Sequence, residues 1–202
     1  TKLLESLKSL ANDLSNARKK VAKKLSDAVT KEIKPLGMGN AVFQVSVGKN
    51  ETLSPHGQDD ITFLFSANLG EELALLSDVA SGGELSRVML GLNVVTGSDV
   101  PILAFDEVDA GIGGKTARAV GCLLKQLAKD HQVLVVTHLP QVAAFADAQF
   151  YVEKKEMDKR TVTRVMRLEP HERELELARM LSGSTSDAAI ANARELISEA
   201  QS

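Results

Sequence analysis

The chain has 202 residues, 44% of them hydrophobic, and a formal net charge of −3 at pH 7. This is enough for an ordinary domain with a sizeable core, which argues against disorder as the dominant state. No run approaches the roughly 18 apolar residues of a membrane-spanning helix, and the first residues lack the layout of a secretory signal. We therefore expect a cytoplasmic protein that makes no membrane contact. Aromatic residues, at 3%, are too few for a platform that stacks single-stranded bases.

Residues 1–34 are predicted to form one long basic helix, which ends at Pro35 and Gly37. This segment holds nine Lys or Arg and four Asp or Glu, whereas acidic residues outnumber basic ones in the rest of the chain. Apolar residues recur first in alternating steps of four and three and then in steps of four: Leu3, Leu7, Leu10, Leu14, Ala17, Val21, Leu25, Val29 and Ile33. Coiled coils and amphipathic surface helices share this pattern, and a basic face can contact phosphates, an acidic partner or only solvent.

The remaining elements indicate an α/β fold with a parallel sheet core and flanking helices. Strands at 41–47 and 61–69, joined by a polar connection at 50–60, predict a hairpin or two adjacent strands. Strand 101–105, helix 116–129 and strand 133–137 predict a parallel crossover. The other predicted elements are a helix at 84–96, strands at 149–154 and 160–168 around a turn at Met157 and Asp158, and helices at 172–181 and 186–199. The single cysteine, Cys122, lies in an apolar helical run and is predicted to be a small buried side chain.

Two adjacent acids follow the predicted strand PILAFDE at the sheet edge where open α/β folds bind ligands. In nucleotide hydrolases with this pattern the first acid, here Asp106, holds magnesium, usually through water. The second, here Glu107, polarises the attacking water. An isolated pair of this kind is also typical of a loop that caps the next helix, so both interpretations remain open on this motif alone.

The segment ASGGELSR, from Ala80 to Arg87, precedes an apolar helix about twenty residues upstream of the acids. Ser81, Gly82 and Gly83 would place backbone N–H groups and the helix dipole toward a bound anion. The same residues are equally compatible with a serine N-cap followed by two flexible positions.

A histidine, His138, follows the strand VLVVT at the same predicted sheet edge, where it can donate a hydrogen bond to a γ-phosphate. A lone histidine at a strand end is more typical of a structural role. The loop DAGIGGKT mimics a phosphate-binding P-loop, but Asp109 stands where the motif requires its first glycine. We interpret residues 109–114 instead as a connection that leads into the next helix.

Together these motifs resemble those of a known family. ASGGE, PILAFDEVD and VTH, in this order and spacing, are similar to the signature, Walker B, D-loop and switch-histidine elements of ABC-type ATPases. The wider wording resembles the RecN family of SMC-like proteins, from about residue 41 to 183: LSPHGQDDITFLFSANLGE, VASGGELSRVML, AFDEVDAGIGGKTARAVG, QVLVVTHLPQVAAFAD and ELARMLSG. The resemblance implies that 38–202 form the C-terminal lobe of an ATPase head and that 1–34 are the returning strand of a coiled-coil arm.

The resemblance also implies roles for particular residues. The implied site comprises Asp106 at magnesium, Glu107 and His138 as catalytic groups, the signature residues Ser81, Gly82, Gly83 and Glu84 acting in trans on nucleotide, and Asp109 and Gly111 in a D-loop along the interface between heads. ATP and Mg²⁺ are the implied cofactors. The implied partners are an N-terminal lobe with the P-loop, a second head that pairs on ATP binding, and double-stranded DNA, in nucleoid-associated double-strand-break repair.

The family pattern further implies that this chain alone is catalytically incomplete, because it has no genuine P-loop. A nucleotide-binding subunit of a membrane transporter would share the ATPase motifs, but it has no use for a coiled-coil helix. A structural DNA-binding or dimerisation module with an inactive site is a second alternative, against which the intact DE and SGGE motifs argue.

Overall fold

A computed structural model describes residues 2–79, 81–157 and 160–201, with Met157 described by its backbone alone. The chain divides into two compact units, Thr1–Asp99 and Val100–Ser202. The first unit contains helix α1 (Lys2–Ile33), strands β1 (Val42–Ser54), β2 (Gly57–Ser66) and β3 (Ala74–Leu75), helix α2 (Gly82–Thr96), and 3-10 turns at Lys34–Leu36 and Leu76–Asp78. The second contains β4 (Ile102–Phe105), α3 (Gly114–Leu127), β5 (Gln132–Val135), α4 (Pro140–Ala143), β6 (Phe150–Met157), β7 (Arg160–Arg167), α5 (Pro170–Ser182) and α6 (Asp187–Gln201).

The first unit is built on an antiparallel sheet in the order β1-β2-β3. The predicted hairpin is confirmed, but the predicted polar connection at 50–60 is wrong. Strand pairing continues through that segment, with Gly48 opposite Asp60 and Ser54 opposite Gly57. The C-terminal part of β1 is exposed to solvent. Its residues are polar because this part of the hairpin is solvated, not because the segment is a loop.

Helix α1 has two apolar faces. One face packs within the first unit and is made of Ala11, Ser15, Ala22, Val29 and Ile33. The other is the exposed front part of the predicted seam: Leu3, Leu7, Leu10, Leu14 and Val21. The change of phase in the sequence pattern marks the point at which the seam passes from the exposed face to the packed one. The assignment of 1–34 to an arm and 38–202 to a head stays a prediction.

Side-chain hydrogen bonds attach α1 to the hairpin. Thr30 Oγ1 donates to the Phe43 carbonyl at 3.2 Å and accepts from the Phe43 N–H at 3.1 Å. Ser26 Oγ accepts from the Val45 N–H at 2.9 Å. Further along the helix, Arg18 Nη1 donates to Asp59 Oδ2 at 2.9 Å. These bonds satisfy backbone groups at the edge of β1 and hold the helix and the strand together.

The second unit contains a parallel pair, β4 and β5, in which Phe105 lies opposite Val135. The predicted parallel arrangement is therefore confirmed. Residues alternate strictly between a covered and an open face, as the two-residue period of a strand requires. Ile102, Leu134 and Val136 lie on the open face, and Val136 is 66% exposed.

The rest of the second unit packs α5 against α6 around Leu177 and Ala193 and pairs β6 with β7. The predicted strands and helices here are confirmed to within a few residues at each end. Of the predicted turn at Met157 and Asp158, Met157 ends β6 and Asp158 lies outside the described residues. No helix in the described part of the chain is long and apolar enough to cross a membrane.

Helix α3 corrects the prediction for Cys122, which is exposed. The buried stripe of this helix is Ala117, Val120, Gly121, Leu124 and Leu127. At about 100° per residue, Cys122 points away from the centre of that stripe. Gly121 belongs to the stripe because a Cβ there would lie 2.3 Å from the Phe145 ring. The apolar run predicted the helix correctly, but it did not predict on which face of the helix the thiol lies.

Candidate functional site

The predicted acids stand at the carboxyl end of β4, where the parallel pair opens. Asp106 and Glu107 both follow the buried Phe105 directly and are exposed. One Asp106 oxygen accepts a hydrogen bond from the Glu107 N–H at 2.9 Å. The Val136 N–H bonds to the Phe105 carbonyl at 3.0 Å, so the residues that follow β5 emerge at the same edge as the two acids. This places His138 at the same edge of the sheet as the two acids, as the sequence predicted.

Glu107 has an unusual backbone conformation. Its φ of 56° makes it the one non-glycine residue with positive φ in the described part of the chain. Such a conformation costs on the order of 1–3 kcal/mol in a residue other than glycine, and residues held in this way cluster at functional sites. The turn is closed by a 3.0 Å bond from the Ala110 N–H to the Glu107 carbonyl. The chain therefore turns sharply at the second acid.

The third acid of the loop, Asp109, is only 2% exposed. Its Oδ2 atom accepts hydrogen bonds from the Thr137 hydroxyl at 2.5 Å, the His138 N–H at 3.0 Å and the Leu139 N–H at 3.3 Å. A buried carboxylate is tolerated when donors surround it in this way. Asp109 thus connects the loop after β4 to the loop after β5.

The same oxygen lies 3.3 Å from Nδ1 of His138, whose side chain is 72% exposed. A carboxylate beside Nδ1 favours the tautomer with a hydrogen on that nitrogen. Nε2 is then the ring nitrogen that can bond to a ligand or to solvent. His138 is therefore held by its backbone and by one ring nitrogen, while the rest of the ring is open to solvent.

The sequence analysis missed Thr137 and the amide of Leu139. The available signal was a threonine directly before the histidine, because a hydroxyl donor at a strand end needs an acceptor.

The loop that mimics a P-loop continues from Asp109 through Gly111, with φ 72°, to Gly114, with φ 52°, where α3 begins. Both glycines adopt backbone conformations that would strain other residues. The roles of Asp109 and Gly111 between two heads stay predictions.

The signature segment begins α2 in the first unit. Ser81 is the N-cap, and its Oγ accepts from the Glu84 N–H at 3.3 Å. Ser81 and Gly82 are exposed, Gly83 is buried, and Ala80 lies outside the described residues. The predicted N-cap is confirmed. A helix N-terminus that begins with two glycines also allows an anion to approach the backbone N–H groups closely. Binding of nucleotide by Ser81 to Glu84 stays a prediction.

Magnesium at Asp106 is compatible with the donors present. In the described part of the chain, no three His, Cys, Asp or Glu side chains come together to hold a metal ion by themselves. Mg²⁺ is ordinarily bound by one or two carboxylates together with substrate phosphates and water. An exposed carboxylate at a strand end meets that need, so the protein residue that would hold the ion is Asp106.

Comparison with solved structures defines the class of protein. The Smc head domain with a coiled coil and joint from Pyrococcus yayanosii superposes with a TM-score of 0.57 at 16% identity, covering 100% of this chain and 34% of that one. The Smc head domain with an extended coiled coil from Pyrococcus furiosus gives 0.55 at 18% identity, covering 83% and 40%. The fold is that of an SMC head domain, as predicted. No protein-family model matches the chain.

Comparison with curated sequences is more specific. The DNA repair protein RecN of Deinococcus radiodurans is 51% identical over 184 residues, which is 91% of this chain and 33% of that protein. The DNA repair protein RecN of Haemophilus influenzae is 45% identical over 197 residues, 96% of this chain and 35% of that protein. The chain is similar in sequence to the RecN proteins over nearly its whole length, so the predicted resemblance is confirmed. It spans about a third of the length of the curated relatives it matches.

Proposed function

We propose that this chain is the C-terminal part of a RecN-type ATPase head that binds and hydrolyses ATP between two paired heads. The observation that carries the proposal is the pair of exposed acids, Asp106 and Glu107, at the same sheet edge as a histidine anchored by a buried carboxylate. Structural loops do not need two solvated acids, a strained backbone and a fixed histidine in one place.

Each residue of the edge has a role in this proposal. Asp106 holds Mg²⁺, which neutralises charge on the phosphates when it is bound. Glu107 orients the attacking water and accepts its proton. His138 contacts the γ-phosphate, while Asp109 and Thr137 keep the histidine in place. Ser81 to Glu84 contact the nucleotide that is held mainly by the opposite head.

A second lobe completes the head in the same proposal. The open face of β4 and β5 exposes Ile102, Leu134 and Val136, and exposed apolar residues grouped on one strand face are typical of a packing surface. The N-terminal lobe, which would carry the P-loop, is the partner that the family pattern predicts. The exposed seam of α1 supports an arm in the same way, since Leu3 is 82% exposed and the following seam leucines are also uncovered.

The cellular role follows from the relatives. Both curated proteins described above are named as DNA repair proteins. We propose that ATP-driven pairing of heads is coupled to DNA binding or tethering in the repair of double-strand breaks, in a nucleoid-associated protein.

Complementation tests the proposal. ATP turnover is measured for the chain alone, for an N-terminal P-loop lobe alone, and for the two mixed or fused, each with and without Mg²⁺. We expect turnover only in the mixture with Mg²⁺ and a loss of turnover when the P-loop lysine of the added lobe is replaced by alanine. Turnover by the chain alone at the rate of the mixture would contradict the proposal, as would a mixture that forms a stable complex but stays inactive.

A further inference from the structure

A basic groove runs between α1 and β1 within the first unit. Its volume is about 780 Å³, and it is open to solvent along its length. Four exposed lysines line the helical side: Lys19, Lys23, Lys31 and Lys34. Of the described residues that line the groove, Asp27 is the single acid, and β1 contributes only neutral residues. The groove therefore carries a net positive charge, with four lysines against one acid.

The floor of the groove is fixed by the helix-to-strand bonds described above. Ser26 and Thr30 bond to the backbone of β1, so the spacing between the lysines and the strand does not depend on a ligand. Arg18 is excluded from the basic row, because its guanidinium pairs with Asp59, whose side chain is 2% exposed. The lysines have no such partner in the groove walls other than Asp27.

The groove faces away from the exposed seam of α1. At about 100° per residue, the four groove lysines centre roughly 150° around the helix from the seam that runs from Leu3 to Val21. A second helix that covers the seam would therefore leave the groove open. The basic row is not part of the coiled-coil interface and needs another explanation.

We propose that this groove binds the phosphate backbone of duplex DNA. From Lys19 to Lys34 the helix rises about 22 Å, which matches the axial length of about six base pairs at 3.4 Å each. The polar side chains of Gln44 and Ser46 on β1 add hydrogen-bond donors of the kind that contact phosphate oxygens.

The groove is suited to contact the phosphate backbone of DNA and not its bases. Among the described residues that line it, Phe43 is the one aromatic and is 1% exposed, so none of them offers a ring that could stack on unpaired bases. Lysines on a helix and neutral strand residues give a contact that does not depend on sequence. The proposal deepens the proposed function, because it names the surface through which a RecN-type head would hold DNA, but it concerns the first unit and requires no ATP.

The chain itself offers a closely matched pair of variants. Lys19→Gln with Lys23→Gln removes two groove charges, and Lys20→Gln with Lys24→Gln removes two exposed charges one residue further along the same helix, outside the groove. Lysine and glutamine have similar helix propensities, so α1 is preserved in both. Circular dichroism and a melting curve verify that both variants fold as the unsubstituted chain does.

Binding to a labelled 30-base-pair duplex is measured by fluorescence anisotropy from 50 to 200 mM salt. Four phosphate contacts predict a slope of log K against log salt of about −3.6, and the groove variant should lower its magnitude by about 1.8. We expect the groove variant to bind about tenfold more weakly or worse at 100 mM salt. The control variant should retain most of the affinity and of the slope.

Equal losses in the two variants would overturn the proposal, because they would show a general charge effect rather than a groove. Absence of duplex binding by the folded chain would overturn it as well. A third overturning result is competition by polyglutamate as effective as competition by duplex at equal charge, which would assign the groove to an acidic protein segment. None of these outcomes affects ATP turnover in the complemented head, so the groove and the proposed ATPase fail or stand separately.

Discussion

Three acids lie within four residues of one another after β4, yet the molecule treats them in opposite ways. Asp106 and Glu107 are exposed, whereas Asp109 is 2% exposed and bonded to a hydroxyl and two amides. From this contrast we infer that the buried acid holds the two loops together, whereas the exposed acids are accessible to a ligand. Substitutions at these acids and at their partners test that division.

Replacement of Glu107 with glutamine should have the largest effect on chemistry. In the complemented head we expect ATP turnover to fall by about 10²–10⁴, because a positioned general base contributes a factor of that size. Urea unfolding of the chain should be unchanged, because Glu107 is exposed. Glu195→Gln, an exposed glutamate on α6, is the matched control and should leave turnover as it is. Wild-type turnover in Glu107→Gln would remove this residue from the proposed mechanism.

Replacement of Asp109 with alanine should have the largest effect on stability. It removes the acceptor of the His138 amide and one acceptor each of the Thr137 hydroxyl and the Leu139 amide. The hydroxyl keeps a bond to the Leu139 carbonyl at 3.4 Å, and the Leu139 amide keeps one to Thr137 Oγ1 at 3.1 Å. One unsatisfied donor costs about 1–3 kcal/mol and each of the two other lost bonds about 0.5–1.5 kcal/mol, so a loss of about 3 kcal/mol in the free energy of unfolding is expected. Urea denaturation measures it. A variant as stable as the unsubstituted chain would show that the buried acid is not a structural support.

Thr137→Val should reproduce a smaller part of that loss. The substitution keeps the shape and removes a hydroxyl that donates to Asp109 and accepts from the Leu139 N–H. Because the Leu139 N–H keeps its bond to Asp109, we expect a cost of about 1 kcal/mol by urea denaturation. Thr137→Ser retains the donor and should recover part of the stability. If valine and serine behave alike, the hydroxyl bond to Asp109 contributes nothing.

Asp59 offers a second buried acid for comparison, in the first unit. Hydrogen bonds from the Ser15 hydroxyl and from Arg18 lower the pKa of Asp59 below its ordinary value of 3.8. A carboxyl whose folded-state pKa is lowered stabilises the fold above its unfolded pKa, and this contribution is lost as the pH falls through the folded value. Asp59→Asn should therefore be less stable than the unsubstituted chain at pH 7, and the difference should shrink below about pH 4. Unfolding curves at pH 7, 4 and 3 measure it, and a constant difference would contradict the assigned pKa shift.

Much of the fold was predictable, because long periodic segments and buried strands carry strong local signals. The phase shift of α1, the parallel β4 and β5, and the placement of Asp106, Glu107 and His138 at one edge all follow from spacing. The environment of Asp109 did not, since its partners are about thirty residues away and two of them are backbone amides, which any sequence provides. Cys122 was misplaced because an apolar run identifies a helix without identifying its buried face.

The most direct test of the central claim is sedimentation of the complemented head carrying Glu107→Gln, with and without ATP and Mg²⁺. If the exposed acids and the signature act between two heads, ATP should shift the mass from one head to two. Ser81→Arg, which places a large cation at the exposed start of α2, should abolish the shift without unfolding the chain. A mass that does not respond to ATP while the nucleotide is bound would contradict the account of paired heads.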